Sequence, residues 1–140
     1  MNFTAHMRIG TLEITAVLAL AAVVAARPRR GNPVEIASLV PVKAVLRVIE
    51  LGRERLFEGM CPLTIGRDRD CDLALADAEV SRRHARLETQ GGIVFVRDLE
   101  SSNGTFLNGR RLENAVETRE GDEIDVGTTR LIVEQLQPWT

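Results

Sequence analysis

Soft metal ligands are scarce in this chain: two cysteines, Cys61 and Cys71, and two histidines, His6 and His84, among 140 residues. No pair of them meets a zinc-site spacing, so a zinc site is excluded and no metal or other cofactor is expected. The cysteines flank the extended pattern Leu63 to Arg67. Extended chain between them would hold their Cα atoms beyond the roughly 7 Å limit for a bridge, so free thiols are expected, as suits a reducing compartment. Basic excess is missing too. The formal net charge is −2, which removes the electrostatic footprint of a nucleic-acid binder. The charge is uneven: Arg8, Arg27, Arg29 and Arg30 stand against Glu13 and Glu35 before Val42, which leaves −4 for residues 42–140. A sustained helical period is absent after Ala26, which turns the reading of the remainder towards strands.

What is present is a 44% hydrophobic chain, enough for one core, so a single domain with an appendage is expected. The appendage, residues 1–41, is led by an apolar run from Ile14 to Ala26 broken only by Thr15, and Arg27-Pro28-Arg29-Arg30 follows at once. As a helix at ~1.5 Å per residue this run covers roughly 20 Å against a hydrocarbon core of ~30 Å. Extending it back to Ile9 reaches spanning length but takes in Thr11 and Glu13. Three readings compete: an apolar transmembrane anchor, a cleavable signal peptide ending at Val24-Ala25-Ala26, and a non-spanning extension. The arginines favour the anchor, because a signal peptide carries its positive charge ahead of the apolar run. They also place the following domain on the cytoplasmic face of the membrane; a purely cytoplasmic chain is the alternative. Gly31 to Pro41 reads as a short linker.

From Val42 the pattern is that of short strands. Val42, Ala44, Leu46 and Val48 alternate with Lys43, Val45, Arg47 and Ile49, as a strand with one firmly buried face requires. Leu51 to Gly59 holds a turn and a short second strand of a hairpin. Leu63 to Ile65 and Leu73 to Leu75 are short apolar runs, His84 to Thr89 alternates, and Ile93 to Val96 reads as a buried strand. Gly91-Gly92 marks a turn, and Asn108-Gly109 is a strong tight-turn signal. Glu123 to Val126 and Arg130 to Gln135 close the chain through Gly127-Thr128-Thr129. Strands at intervals of about ten residues predict an all-β sandwich for residues 42–140.

Three clusters of small, hydroxylic and cationic residues fall between these strands: Gly66-Arg67, Ser81-Arg82-Arg83-His84 and Ser101-Ser102-Asn103-Gly104-Thr105. A sandwich that gathers its loops at one end brings them together as an anion site. Arginine offers a planar fork for phosphate, serine and asparagine add directional donors, and glycine lets the backbone come close. Hydrolysis is excluded as the chemistry, because Ser81-x-x-His84 lacks a glycine-flanked elbow and an oxyanion-hole sequence.

These clusters, with Cys71-Asp72-Leu73-Ala74-Leu75 and Gly121-Asp122-Glu123-Ile124-Asp125-Val126-Gly127, resemble the forkhead-associated (FHA) domain over roughly Val42 to Leu136. Any one piece is common, but five in this order and spacing are specific. The resemblance implies an FHA-type sandwich of two antiparallel-rich sheets and a phosphothreonine-peptide-binding module with no catalytic residues. It implies that Arg67 pairs with the phosphate and that Ser81 and Ser102 lend hydroxyls. Arg82 contacts the peptide, Asn103 holds its backbone, and Gly66, His84 and Gly104 support the loops. It also implies an apolar recess for the threonine methyl beside Asn103. The partner is then a phosphothreonine-containing protein or peptide; a phosphate-independent module on the same fold is the alternative. Thr118 departs from the family pattern at a position usually apolar, which bears on the local strand edge.

Overall fold

A computed structural model describes residues 40–139 of the protein. The apolar segment from Ile9 to Ala26, with the helix and anchor expected there, lies outside the described residues, as does the linker up to residue 39. Among the described residues no helix is long and apolar enough to cross a membrane.

Among the described residues eleven strands form two sheets. The first sheet has six: β1 (Val42–Glu50), β2 (Arg53–Cys61), β7 (Thr105–Leu107), β8 (Arg110–Arg111), β10 (Glu123–Val126) and β11 (Thr129–Pro138), in the order β2-β1-β11-β10-β7-β8. The second has five: β3 (Leu63–Gly66), β4 (Leu73–Ala74), β5 (Ala85–Gln90), β6 (Ile93–Asp98) and β9 (Val116–Thr118), in the order β4-β3-β5-β6-β9. All neighbours pair antiparallel except β3 and β4.

The core lies between the sheets. Val42, Ala44, Leu46 and Val48 of β1 face Leu63, Ile65, Leu87 and Val96 of the second sheet's strands, all essentially inaccessible to water. Burying each of the valine, leucine and isoleucine side chains among them is worth about 1.5–3 kcal/mol. Because side chains alternate along a strand, the same residues fix register: a one-residue slip of β1 would bury Lys43 and Arg47.

The hairpins follow the turn chemistry. β1 and β2 close through Leu51-Gly52, with Glu50 opposite Arg53, and β7 and β8 close through Asn108-Gly109, with Leu107 opposite Arg110. Both central residues of each turn have positive φ, the mirror-image turn whose twist matches paired strands. β2 runs nine residues and is not the short strand expected. The run from Ile93 to Val96 is not buried throughout: Val94 and Val96 face the core, while Ile93 is 45% exposed. Phe95, between Glu88 and Glu117 on the neighbouring strands, faces outward. β8 and β9 have no counterpart in the sequence reading. Thr118 nevertheless fits its strand, buried and with its hydroxyl donating to Asp122 Oδ2 at 3.2 Å. Both cysteines are free and buried, and burial pushes the Cys61 thiol up to about 12.

The two ends of the described chain meet: the Trp139 amide donates to the Pro41 carbonyl at 2.8 Å, where β1 and β11 begin and finish together. The turn after β10, at the other end of β11, belongs with the loops described next.

Candidate functional site

Backbone hydrogen bonds zip the loop after β3 to the loop before β5. The Arg67 amide donates to the Ser81 carbonyl and the Asp68 amide to the Arg82 carbonyl, both at 3.0 Å, and the Cys71 thiol donates to that same Arg82 oxygen at 3.2 Å. The end of β3 and the loop before β5 come so close that Gly66 has no room for a side chain, since a Cβ there would overlap the Arg82 carbonyl. Glycine is required by space here.

His84, wholly buried, joins this pair of loops to the one between β6 and β7. Its Nδ1 accepts from the Ser81 amide at 3.0 Å and its Nε2 lies 2.9 Å from the Gly104 carbonyl. An Nδ1 that accepts leaves the ring proton on Nε2, so the second contact is a donation to the carbonyl. Ser81 and Ser102 are linked directly, the Ser102 amide donating to Ser81 Oγ at 3.0 Å. Asn103 donates through Nδ2 to the Glu79 carbonyl at 2.8 Å. All eight residues singled out in the sequence thus lie in one bonded cluster of three loops.

Two carboxylates that the sequence reading passed over hold these loops. Asp98, at the end of β6, accepts from the hydroxyls of Ser101 at 2.5 Å and Thr105 at 2.6 Å and from the Ser101 amide at 3.1 Å. Burial alone would raise its carboxyl, but these bonds, with His84 nearby, hold it below the usual carboxylate range. Asp77 is buried at 2% exposure and accepts from the Glu79 amide, the Thr128 amide and hydroxyl, and the Thr129 hydroxyl. Desolvation opposes its charge; the hydrogen bonds prevail and bring it to about 2. Asp77 thereby fastens the Ser81 loop to the turn between β10 and β11. Their partners are named only by the fold; Asp98 three residues before a Ser-Ser-Asn-Gly-Thr run was the available signal.

Arg67, Arg69 and Arg82 with Asp68 border an open hollow of about 340 Å³. Among the described residues, ion pairs occupy Lys43, Arg47, Arg97, Arg119 and Arg130. Arg67, Arg69, Arg82 and Arg83 take part in none of these. The loops therefore present guanidinium groups to solvent in an otherwise acidic domain. No group of acidic, histidine and cysteine side chains among the described residues is arranged to hold a metal.

A β-sandwich with cationic, hydroxyl-bearing loops fastened together at one end defines a binding module for a phosphorylated or otherwise anionic ligand. The family model described as FHA domain matches residues 63–127. The chain is 39% identical over 79 residues to the FHA domain-containing protein FhaB of Mycolicibacterium smegmatis, covering 56% of this chain and 51% of that protein. It is 35% identical over 96 residues to the oxoglutarate dehydrogenase inhibitor of Corynebacterium efficiens, covering 66% of this chain and 67% of the relative. A solved structure described as a structural and functional analysis of phosphothreonine-dependent FHA domain interactions superposes with a TM-score of 0.60 at 30% identity, over 66% of this chain and 96% of that one. The chain belongs to the FHA family. It spans about half the length of FhaB, the first of these curated relatives.

Proposed function

We propose that residues 42–140 bind phosphothreonine-containing segments of partner proteins, and that the chain works as a non-catalytic reader in Ser/Thr-kinase signalling. The observation that carries this reading is the exposed Arg67 beside Ser81, Ser102 and Asn103 on loops bonded to one another. A phosphothreonine brings about −1.5 to −2 of charge and three acceptor oxygens. Arg67 pairs with that charge. Ser81 Oγ already accepts from the Ser102 amide, so its own proton is left to donate to the phosphate. Ser102 adds its hydroxyl, and Arg82 lies along the peptide. Asn103 spends one amide proton on Glu79, which orients the group and leaves its oxygen and second proton for the peptide backbone. Gly66, His84 and Gly104 hold the loops. No nucleic acid is needed as partner.

The test is calorimetric titration of the full chain with one peptide in phosphorylated and unphosphorylated form. Binding on the order of micromolar by the phosphorylated peptide alone is expected, weakening with salt. Equal binding by both favours a phosphate-independent module.

We further propose that the Ile9 to Ala26 segment tethers the chain to the cytoplasmic membrane with the FHA domain inside the cell. The support is the apolar run and the excess of Arg27, Arg29 and Arg30 over Arg8. Fractionation with protease protection checks it: a wholly soluble full-length chain, or a domain digested from outside intact cells, rejects the tether.

A further inference from the structure

Next to the proposed phosphate loops lies a second hollow, of about 660 Å³, formed by β7, β8 and the segment leading to β9. Its apolar lining is the exposed Val116, at 41%, over Leu107 and Leu112, which are buried in the core at 8% and 9% exposure. Its charged lining is Arg110, Arg111 and Glu113. Neither arginine is in an ion pair among the described residues, including with Glu113.

Arg111 is seated against the binding loops. A Cβ on Gly104 would fall 2.9 Å from Arg111 Nε, 3.2 Å from Cζ and 3.3 Å from Nη2, so the guanidinium occupies the space that glycine leaves open. Gly104 also has φ of +84°, which independently favours glycine there. The residue before it is Asn103, and the Leu112 amide donates to the Thr105 carbonyl at 2.9 Å, which draws β8 alongside the same loop. Arg111 thus belongs both to the surroundings of the Asn103-Gly104 turn and to the lining of the hollow.

We propose that this groove reads the segment flanking the phosphothreonine, with Arg111 and Arg110 pairing to an aspartate or glutamate and the exposed Val116 taking an adjacent apolar side chain. This specificity role rests on the phosphopeptide reading of the main site. The occupant is argued from charge complementarity: two guanidinium groups outside the ion pairs of the described residues, beside the exposed Val116, against one carboxylate.

The experiment uses the full chain and a parent phosphothreonine peptide in an alanine background, with an Asp-Leu pair moved in turn through five positions on each side. In one register the pair should tighten binding over the parent by roughly fivefold, the upper range for an exposed ion pair. In the double variant R110Q/R111Q the ratio between the two peptides should fall to about one, and in R111E a Lys-Leu pair in that register should become the preferred one. No favoured register, or a ratio that survives in the double variant, overturns the inference while the parent peptide still binds. A parent peptide that fails to bind overturns the phosphopeptide reading, and this inference with it.

Discussion

His84 Nε2 and the Gly104 carbonyl oxygen, twenty residues apart in sequence, lie 2.9 Å from each other in the interior. That bond, with the one from the Ser81 amide to Nδ1, is the buried link between the second and third loops of the site. Replacing the ring with alanine strands an amide and a carbonyl and leaves a void.

His84→Ala should therefore lower thermal stability and phosphopeptide affinity together. Each stranded buried polar group costs about 1–3 kcal/mol. For a domain of this size 1 kcal/mol corresponds to about 4–8 °C. Differential scanning calorimetry should show a fall of about 8 °C or more; an unchanged melting point removes the structural role.

Arg67→Ala should do the opposite, abolishing binding while the fold stays intact, because the side chain is exposed and outside the observed ion pairs. Losing one partner of a charge-assisted contact costs ~2–5 kcal/mol. Calorimetric titration beside a melting curve separates the two effects, and wild-type affinity in the variant refutes the site.

Gly66→Ala should disturb both properties through space alone, since the added methyl meets the Arg82 carbonyl. Overpacking of this kind typically costs about 1–3 kcal/mol. A variant with wild-type melting point and affinity would show that the two loops separate freely.

Asp77 ties stability to acidity. Its carboxyl stands at about 2 against an ordinary 3.8, so its charged form is favoured by folding. The contribution is complete above pH ~4 and disappears as pH falls towards ~2, amounting to about 2–3 kcal/mol. Asp98 and Asp122 are shifted the same way and add to the loss on acidification. Asp77→Asn should be less stable than wild type at pH 7 yet lose less between pH 4 and 2, as read from urea midpoints. Equal losses in both proteins contradict the assignment.

A phosphothreonine peptide should bind better than its phosphoserine counterpart by about fourfold, the worth of one buried methyl at roughly 0.8 kcal/mol. Equal affinities in competition titrations remove the methyl recess from the reading.

The sandwich was legible because its signals are local. The alternation of β1 and the glycine and asparagine of the two-residue turns act within a few neighbouring residues. β8 and β9 hold two and three residues, too few to show a period, and Ile93 is apolar on a face that the fold leaves open. Among the site residues, those carrying the family pattern could be named from sequence. Asp77 could not, because its partners Thr128 and Thr129 stand 51 and 52 positions away. Arg111 carries no signal in the sequence, since its seat exists only where Gly104 meets β8.

The meeting of Pro41 and Trp139 sets a direction on the molecule. β1 pairs along β11 from Pro138 to Arg130, and Thr129 is bonded to Asp77 beside the Ser81 loop. Nine residues of strand at ~3.3 Å each place the two chain exits about 30 Å from that loop. The arginine-bearing loops and the two strand ends thus occupy opposite poles of the sandwich, so a label carried just after Trp139 sits remote from the arginines.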